Sequence, residues 1–359
     1  MRTIFVLIFC FSNLYSFAQD TLNLVFVGDV MQHQGQIDAA KRGSDYEYDE
    51  YFSFVKKHID SADLAIANLE VTLAGKPYSG YPQFCAPDEL AVALQNAGFD
   101  VLLTANNHSC DKGKKGVVRT IEVLDSLQIA HTGTFLSQAE FDRTYPLMLE
   151  KNNFCLAILN YTYGTNGIPA PAPTIVNLID TIQIAADIAR TKTMNPDIII
   201  ANMHWGDEYK LQPNKEQKNL ADFLIRQGVQ LIIGSHPHVL QRMEKRYTAD
   251  SIPQNVVIYS LGNFVSNMSA KNTNGGVMAH IRLIKENNNL IIDECGYRFV
   301  WVYKPTIEKQ RHFYILPIAD FENNSDYFTN SADFNNMTDF VKNMRKLYDS
   351  ENIGFIEYK

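Results

Sequence analysis

Carboxylate, amide and imidazole side chains sit where apolar runs end in this chain. Gly28-Asp29 closes LNLVFVGD, and Asn68-Leu69-Glu70 closes ADLAIANLE. LLTANNHSCDKG stops being apolar at Asn106, Asn107 and His108, with Asp111 in the turn that follows. NMHWGDEY brings His204, and GSHPH brings His236 and His238. Taken singly, each has a plain structural explanation, since asparagine tolerates left-handed backbone and caps its own turn. A lone histidine is likewise more often structural than a ligand. Taken together they make a hard-to-borderline ligand set that suits Mn, Fe or Zn better than Ca or Cu(I). The imidazoles of HPH, with proline between them, project differently and can serve two adjacent ions. Ions about 3.5–4 Å apart would clamp a phosphoryl group and lower the pKa of water to about 7.

Strands must deliver these ends, and the hydrophobic pattern supplies them. LNLVFVGD, ADLAIANLE, FDVLLTANNH, FCLAILNYTYGTNG, PDIIIANMHWG and VQLIIGSHPH read as strands. YDEYFSFVKKHID, PDELAVALQNAG, KGVVRTIEVLDSLQ, IDTIQIAADIARTK and KEQKNLADFLIRQG have helical spacing. PDELAVALQNAG also carries helix punctuation, proline at its start and glycine at its end. From about residue 255 the helices stop, and NVVIYSLGNFV, GVMAHIRLI, LIIDECGYRFVWVYK and RHFYILPI read as antiparallel strands. This order predicts an α/β fold, with a mostly parallel sheet, a second sheet packed on it and helices outside. NAGFDVLLTANNH and RQGVQLIIGSHPH echo each other as glycine, short strand and histidine-bearing loop. Several strands therefore present Asn or His at their carboxyl ends, the edge where open α/β sheets bind ligands. No Ser- or Gly-rich linker divides the chain. Residues 19–320 are expected to form one domain, followed by a polar segment and helix over 321–359.

Charged residues make up 20% of the chain and its net charge is -8. That is ordinary for a globular protein with ample length for a core, and contrary to the basic face of a nucleic-acid binder. An anionic substrate stays open, because a bound cation supplies positive charge locally. The start, MRTIFVLIFCFSNLYSFAQD, has one basic residue, an apolar run from Ile4 to Phe11, and Ser16 and Ala18 before Gln19. This is signal-peptide anatomy, too short to span a bilayer comfortably. Residues 1–18 are expected to be removed, leaving an exported, periplasmic or extracellular protein without a stable transmembrane span; a retained anchor is the alternative. Bulky Phe9 before Cys10 argues against lipoprotein processing. Cys85, Cys110, Cys155 and Cys295 remain. Export permits disulfides, and the three full pairings are not ranked by sequence. Cys155, inside FCLAILNY, reads as a packed thiol, and the lack of any CxxC argues against sulfur-ligated zinc.

In this order GDVM, NLE, TANNH, HWGDEY, GSHPHVLQ and YSLGNF resemble the motif series of the CapA-type capsule synthesis proteins, over about residues 22–270. These are associated with poly-gamma-glutamate biosynthesis and belong to the calcineurin-like metallophosphoesterase superfamily. The resemblance implies a four-layer α/β/β/α sandwich and one or two divalent metal ions (Mn, Zn or Fe). It implies that Asp29 and His238 hold a first metal, that Asn107, His204 and His236 hold a second, and that Glu70 bridges both. It also implies a substrate-facing His108, which protonates the leaving oxygen or stabilises charge. Asp111 would orient His108 or shape its loop, as carboxylates behind a site do. Met31 stands where the superfamily places a histidine two residues after the first aspartate. Glu70 replaces the usual bridging aspartate, a change typical of the CapA type.

Gln32-His33-Gln34 stands where many CapA-type proteins have Gly-Arg. His33 is a candidate ligand or substrate contact, or a solvent-facing loop histidine. Tyr161, Tyr163 and Asn166 of NYTYGTNG are candidate substrate contacts, or part of a Gly-rich turn. Glu208 either orients His204 or is an exposed acid, and Asn263 of SLGNF is placed as a loop cap beside the site. No GxSxG, Walker A loop or dinucleotide-binding glycine pattern competes. The first functional reading is an exported CapA-type protein that makes, modifies or exports an anionic envelope polymer such as poly-gamma-glutamate, with partners in an envelope biosynthesis complex. The others are a metal-dependent phosphoesterase on a small or lipid-linked phosphate, and a non-catalytic scaffold stabilised by metal. Fold analogy alone does not choose among them.

Overall fold

The computed structural model describes residues 20–247, 252–286 and 289–359, so the export signal expected over 1–18 lies outside the described residues. Four strands open the first sheet: β1 (Asp20–Val30), β2 (Leu64–Leu69), β3 (Val101–Leu103) and β4 (Ala130–Thr132), each parallel to the next. The chain then builds a six-stranded second sheet from β5 (Leu147–Lys151), β6 (Phe154–Thr162), β7 (Ile198–His204), β8 (Leu231–Ser235), β9 (Met243–Tyr247) and β10 (Pro253–Ile258). It returns to the first sheet through β11 (Asn263–Val265), β12 (Gly275–Glu286), β13 (Asn289–Tyr303), β14 (Tyr314–Pro317) and β15 (Ile356–Glu357).

Strand alternation assigns each face. Leu22, Leu24 and Phe26 of β1 point inward to meet Leu156, Ile158, Ile198, Ile200, Leu231 and Ile233 of the second sheet. Val25 and Val27 point outward, where Leu90 and Leu94 of the helix Glu89–Ala97 cover them. On the far side, Leu159, Ile199 and Ile232 are covered by Ile184 and Ile188 of the helix Thr181–Thr193 and Leu224 of the helix Lys215–Arg226. Helix, sheet, sheet, helix is thus the layer order. The helix starts are fixed locally. Asp180 accepts from the backbone N–H groups of Ile182 and Gln183, and Asn214 and Gln217 form a capping box. Gly98, at φ 104°, ends Glu89–Ala97 in the left-handed conformation that glycine adopts without strain.

Three segments differ from the sequence expectation. YDEYFSFVKKHID forms two single-turn helices, Asp49–Phe52 and Lys56–Ile59. The Ser53 hydroxyl donates to the Glu50 carbonyl at 2.9 Å, a local bond that competes with helix continuation. NVVIYSLGNFV is not one antiparallel strand. Its first half, in β10, runs parallel to β8, and its second half crosses to the first sheet as β11, parallel to β1. Gly262, at φ 68°, makes the crossing. The strand β9 carried no strong alternation and pairs antiparallel with β10. The later strands β12, β13 and β14 are antiparallel as expected.

The C-terminal helix Ser331–Glu351 buries Met337, Phe340, Met344 and Tyr348 in the same core as Tyr297, Phe299 and Trp301 of β13. After it, β15 adds to β13 in parallel. The four cysteines among the described residues are free thiols, and Cys155 is partly exposed rather than fully packed. No described helix is long and apolar enough to cross a membrane.

The crossing also positions chemistry. Asp29 donates its backbone N–H to the Gly262 carbonyl at 3.1 Å, and a Cβ added at Gly28 would lie 1.9 Å from that same oxygen. Gly28→Ala is therefore expected to destabilise by about 1–3 kcal/mol or more, because backbone rather than a flexible side chain must yield. A thermal midpoint equal to wild type would show that the crossing yields to the added methyl group at no cost.

Candidate metal centre

The carboxyl ends of β1, β2, β7 and β8, with the loop after β3, converge on one buried carboxylate. Glu70 is fully buried, and neither of its oxygens has a hydrogen-bond partner among the described residues. His204 Nε2 lies 3.7 Å and His238 Nε2 3.9 Å from its Oε1. Glu70 belongs to two sets, Asp29–Glu70–His204 and Glu70–His236–His238, whose ligand atoms lie within 4.8 Å of one another. Burial and then neighbouring Asp29 hold the Glu70 carboxyl well above the usual range. Burial, then His236 and His238, hold the His204 imidazole well below its ordinary value.

Asp29, His204 and His238 are each held by further contacts. Asp29 accepts from Asn68 Nδ2 at 2.8 Å and from the His236 backbone N–H at 3.3 Å. His238 Nδ1 sits 3.2 Å from Asp29 Oδ2 and 3.0 Å from Asn263 Oδ1. Burial acts to lower the His238 imidazole, yet the Asp29 hydrogen bond and charge outweigh it and raise it. His204 Nε2 lies 2.9 Å from Asn107 Oδ1, and its Nδ1 lies 3.0 Å from Ser235 Oγ. Both His236 and His238 take positive φ, 98° and 57°. In the HPH loop that backbone turns both rings towards Glu70. The buried Nδ1 of His236 also lacks a partner among the described residues.

His108 lies beside this cluster. Its Nδ1 is 2.8 Å from Asp111 Oδ2, which leaves Nε2 as the ring nitrogen not engaged by that carboxylate. The same Asp111 oxygen accepts the Phe84 backbone N–H at 2.5 Å. The Phe84 ring meets His108 edge-on at 4.5 Å between centroids and His33 at 5.1 Å. His33 caps the helix Gln34–Ala40. Its Nδ1 lies 3.3 Å from Gln36 Oε1 and accepts the Asn267 N–H at 3.3 Å. It is therefore no solvent-facing loop residue, and it joins neither ligand set. Burial pulls its imidazole down to about 4. Met31 is buried in the outer core and offers the centre nothing.

The weaker candidates separate cleanly. Tyr163 packs on the His236 ring at 4.5 Å and is half exposed, and Asn166 accepts from Asn107 Nδ2 at 3.3 Å. Tyr161 is buried and donates to Asp187 at 2.8 Å, so it serves the outer core; alternation would put residue 163 on the same face, but β6 ends at Thr162 and frees Tyr163 from that facing. Glu208 is exposed and makes no bond to His204, whose nitrogens are taken by Asn107, Ser235 and Asn68. Asn263 is fully buried and holds His238, so it supports the centre rather than touching substrate. Phe84 and Ser235 are additional residues at the centre, and Asn68, seen at a strand end, gains its role in holding Asp29. Asn68 and Ser235 stood inside the quoted motifs, whereas Phe84 lies in an irregular loop with no period to reveal it.

Buried oxygens without partners, flanked by imidazoles within reach of one point, make a donor set that fits a divalent cation. Asn263→Ala should free the His238 ring and lower affinity for the ion it faces by about 10–100-fold. Calorimetric titration with Mn or Zn reads this, and unchanged affinity would show that Asn263 does not matter to the ring.

Two packed sheets with a candidate metal centre at their strand ends define the class of protein. Residues 23–268 match the family described as "Bacterial capsule synthesis protein PGA_cap", and the chain belongs to that family. It is 28% identical to "Capsule biosynthesis protein CapA" of Bacillus anthracis, over 76% of this chain and 66% of that protein. It is also 28% identical to "PGA biosynthesis protein CapA" of Bacillus subtilis (strain 168), over 79% of this chain and 75% of that one. Among solved structures, calcineurin-like phosphoesterase YfkN from Bacillus subtilis is similar, with 13% identity, TM-score 0.45, and 92% of this chain and 99% of that chain covered.

Proposed function

We propose that this is an exported, divalent-metal-dependent hydrolase that acts on an anionic envelope polymer, in the manner of its CapA relatives' role in capsule biosynthesis. The observation that carries the reading is Glu70: a buried carboxylate with two free oxygens and two imidazoles within 3.9 Å. Asp29, Glu70, Asn107, His204, His236 and His238 would hold the ions. Once bound, such ions polarise a phosphoryl or acyl oxygen and lower the pKa of a water.

The chain's own residues supply the rest. Asp111 fixes the His108 ring so that Nε2 carries the proton-transfer role towards a leaving oxygen. Phe84 walls that ring from bulk water. Tyr163, on the His236 ring, forms part of the rim that a polymer would cross.

The test is hydrolysis of bis-p-nitrophenyl phosphate and shortening of poly-gamma-glutamate by purified protein loaded with Mn or Zn. Turnover lost on chelation and restored by metal supports the reading. Bound metal with no turnover on either substrate would favour a metal-stabilised scaffold. For export, intact mass of the recovered product should begin at Gln19; retained Met1 in a membrane fraction would overturn it.

A further inference from the structure

A cleft of about 700 Å³ opens between the loop around Lys271, the end of β13 and the C-terminal helix. Four cations line it, Lys271, Lys304, Arg311 and Lys342, against two carboxylates, Asp333 and Asp339. In a chain of net charge -8 this is a local reversal of sign. Among the described residues none of the four cations makes an ion pair. Lys304 is the most enclosed, and its ammonium donates to the neutral Met268 carbonyl at 2.7 Å. Arg311 donates to the Asn267 side-chain oxygen at 3.2 Å and lies over the Phe313 ring. Asp333 is already engaged at the helix start, where it accepts from Asn330 Nδ2 at 2.8 Å. Buried Trp301 also lines the cleft, and its indole N–H has no partner among the described residues.

Short contacts join this cleft to the metal centre. Asn267, held by Arg311, donates its N–H to His33 Nδ1. Met268, held by Lys304, receives the Asn263 amide on its sulfur at 3.3 Å, and Asn263 holds His238. Two of the lining cations, Arg311 and Lys304, are thus joined through one intervening residue each to His33 and Asn263 beside the centre.

We propose that this cleft is a second binding site, which grips a polycarboxylate, amide-linked stretch of polymer while another part of the same chain reaches the metal centre. Separated cations suit carboxylates spaced along a chain, and the two acids among them disfavour densely charged polyphosphate. Asparagine side chains in the lining, such as Asn336, both donate and accept, as an amide-linked backbone requires. The choice of polymer rests on the proposed function, whereas the cleft itself does not depend on the metal chemistry.

The experiment measures anisotropy of a fluorescein-labelled poly-gamma-glutamate oligomer with the whole protein. Lys271 and Lys342 are exposed, so the double variant K271S/K342S should fold normally. It should bind the oligomer about tenfold more weakly and with a shallower salt dependence. Its metal content and bis-p-nitrophenyl phosphate turnover should match wild type. Glu70→Gln should leave oligomer binding intact. Oligomer binding that is absent from wild type, unchanged in K271S/K342S, or abolished by Glu70→Gln would overturn the site. Polyphosphate that displaces the oligomer at lower concentration than unlabelled poly-gamma-glutamate would overturn the ligand class. If wild type binds the oligomer through these lysines yet hydrolyses nothing, the cleft stands and the catalytic reading falls.

Discussion

Glu70→Gln is expected to strip the protein of metal while making the metal-free protein more stable at neutral pH. The carboxyl is fully buried without a hydrogen-bond partner among the described residues, and burial with Asp29 beside it raises it well above its ordinary 4.5. An unfolded chain ionises this acid as pH rises past that ordinary value, whereas the folded, metal-free protein does so only at higher pH. The unfolded state then binds fewer protons, so stability falls as pH climbs towards the folded value. Each unit of difference is worth about 1.4 kcal/mol. Glutamine keeps the shape and carries no such pH dependence. Metal-free Glu70→Gln should therefore melt above metal-free wild type at pH 7, and the gap should close towards pH 4. Added Mn or Zn should reverse the order, because only wild type gains binding stabilisation, about 2.7 kcal/mol at one hundred times the Kd. A variant that retains metal within tenfold of wild-type affinity, or that melts below metal-free wild type at pH 7, would refute this account of the centre.

The second large effect is at His108. Replacement by alanine should lower kcat for a metal-dependent hydrolysis by about 10²–10⁴-fold, the usual worth of positioned proton transfer. Metal content should stay at the wild-type level, since His108 belongs to neither ligand set around Glu70 and its Nδ1 faces Asp111. Asp111→Asn should give a smaller loss in kcat with KM unchanged, because it disturbs the orientation of the ring and leaves the ring itself. Rates and inductively coupled plasma metal analysis on the same preparations read both quantities. Loss of metal on His108→Ala would make His108 a ligand and reverse the division of labour between Asn107 and His108.

Much of this centre was legible before any tertiary structure. Asp29, Glu70, Asn107, His204, His236 and His238 all follow apolar runs, and parallel strands in one α/β protein deliver their carboxyl ends to a common edge. The alternation of Leu22, Leu24 and Phe26 with Val25 and Val27 likewise declared that β1 is buried on both faces. What alternation cannot give is the partner. That His238 lies between Asp29 and Asn263, or that His204 faces Asn107, depends on how two sheets are set against each other across long sequence separations.

Three outcomes belonged to tertiary structure alone. NVVIYSLGNFV divides between the sheets because Gly262 turns at positive φ under the Asp29 amide, a constraint visible only once β1 and β11 are adjacent. Tyr161 and Tyr163 would share a face if the strand continued, but β6 ends at Thr162, so Tyr161 reaches Asp187 while Tyr163 packs on His236. Phe84 comes from a loop without hydrophobic period, and only folding brings its ring and its N–H to His108 and Asp111. Sequence by itself determined which residue types stand at strand ends, because periodicity and turn chemistry are local. Which of them meet, and through which atoms, was decided by sheet packing, because contacts between distant segments leave no local pattern in the chain.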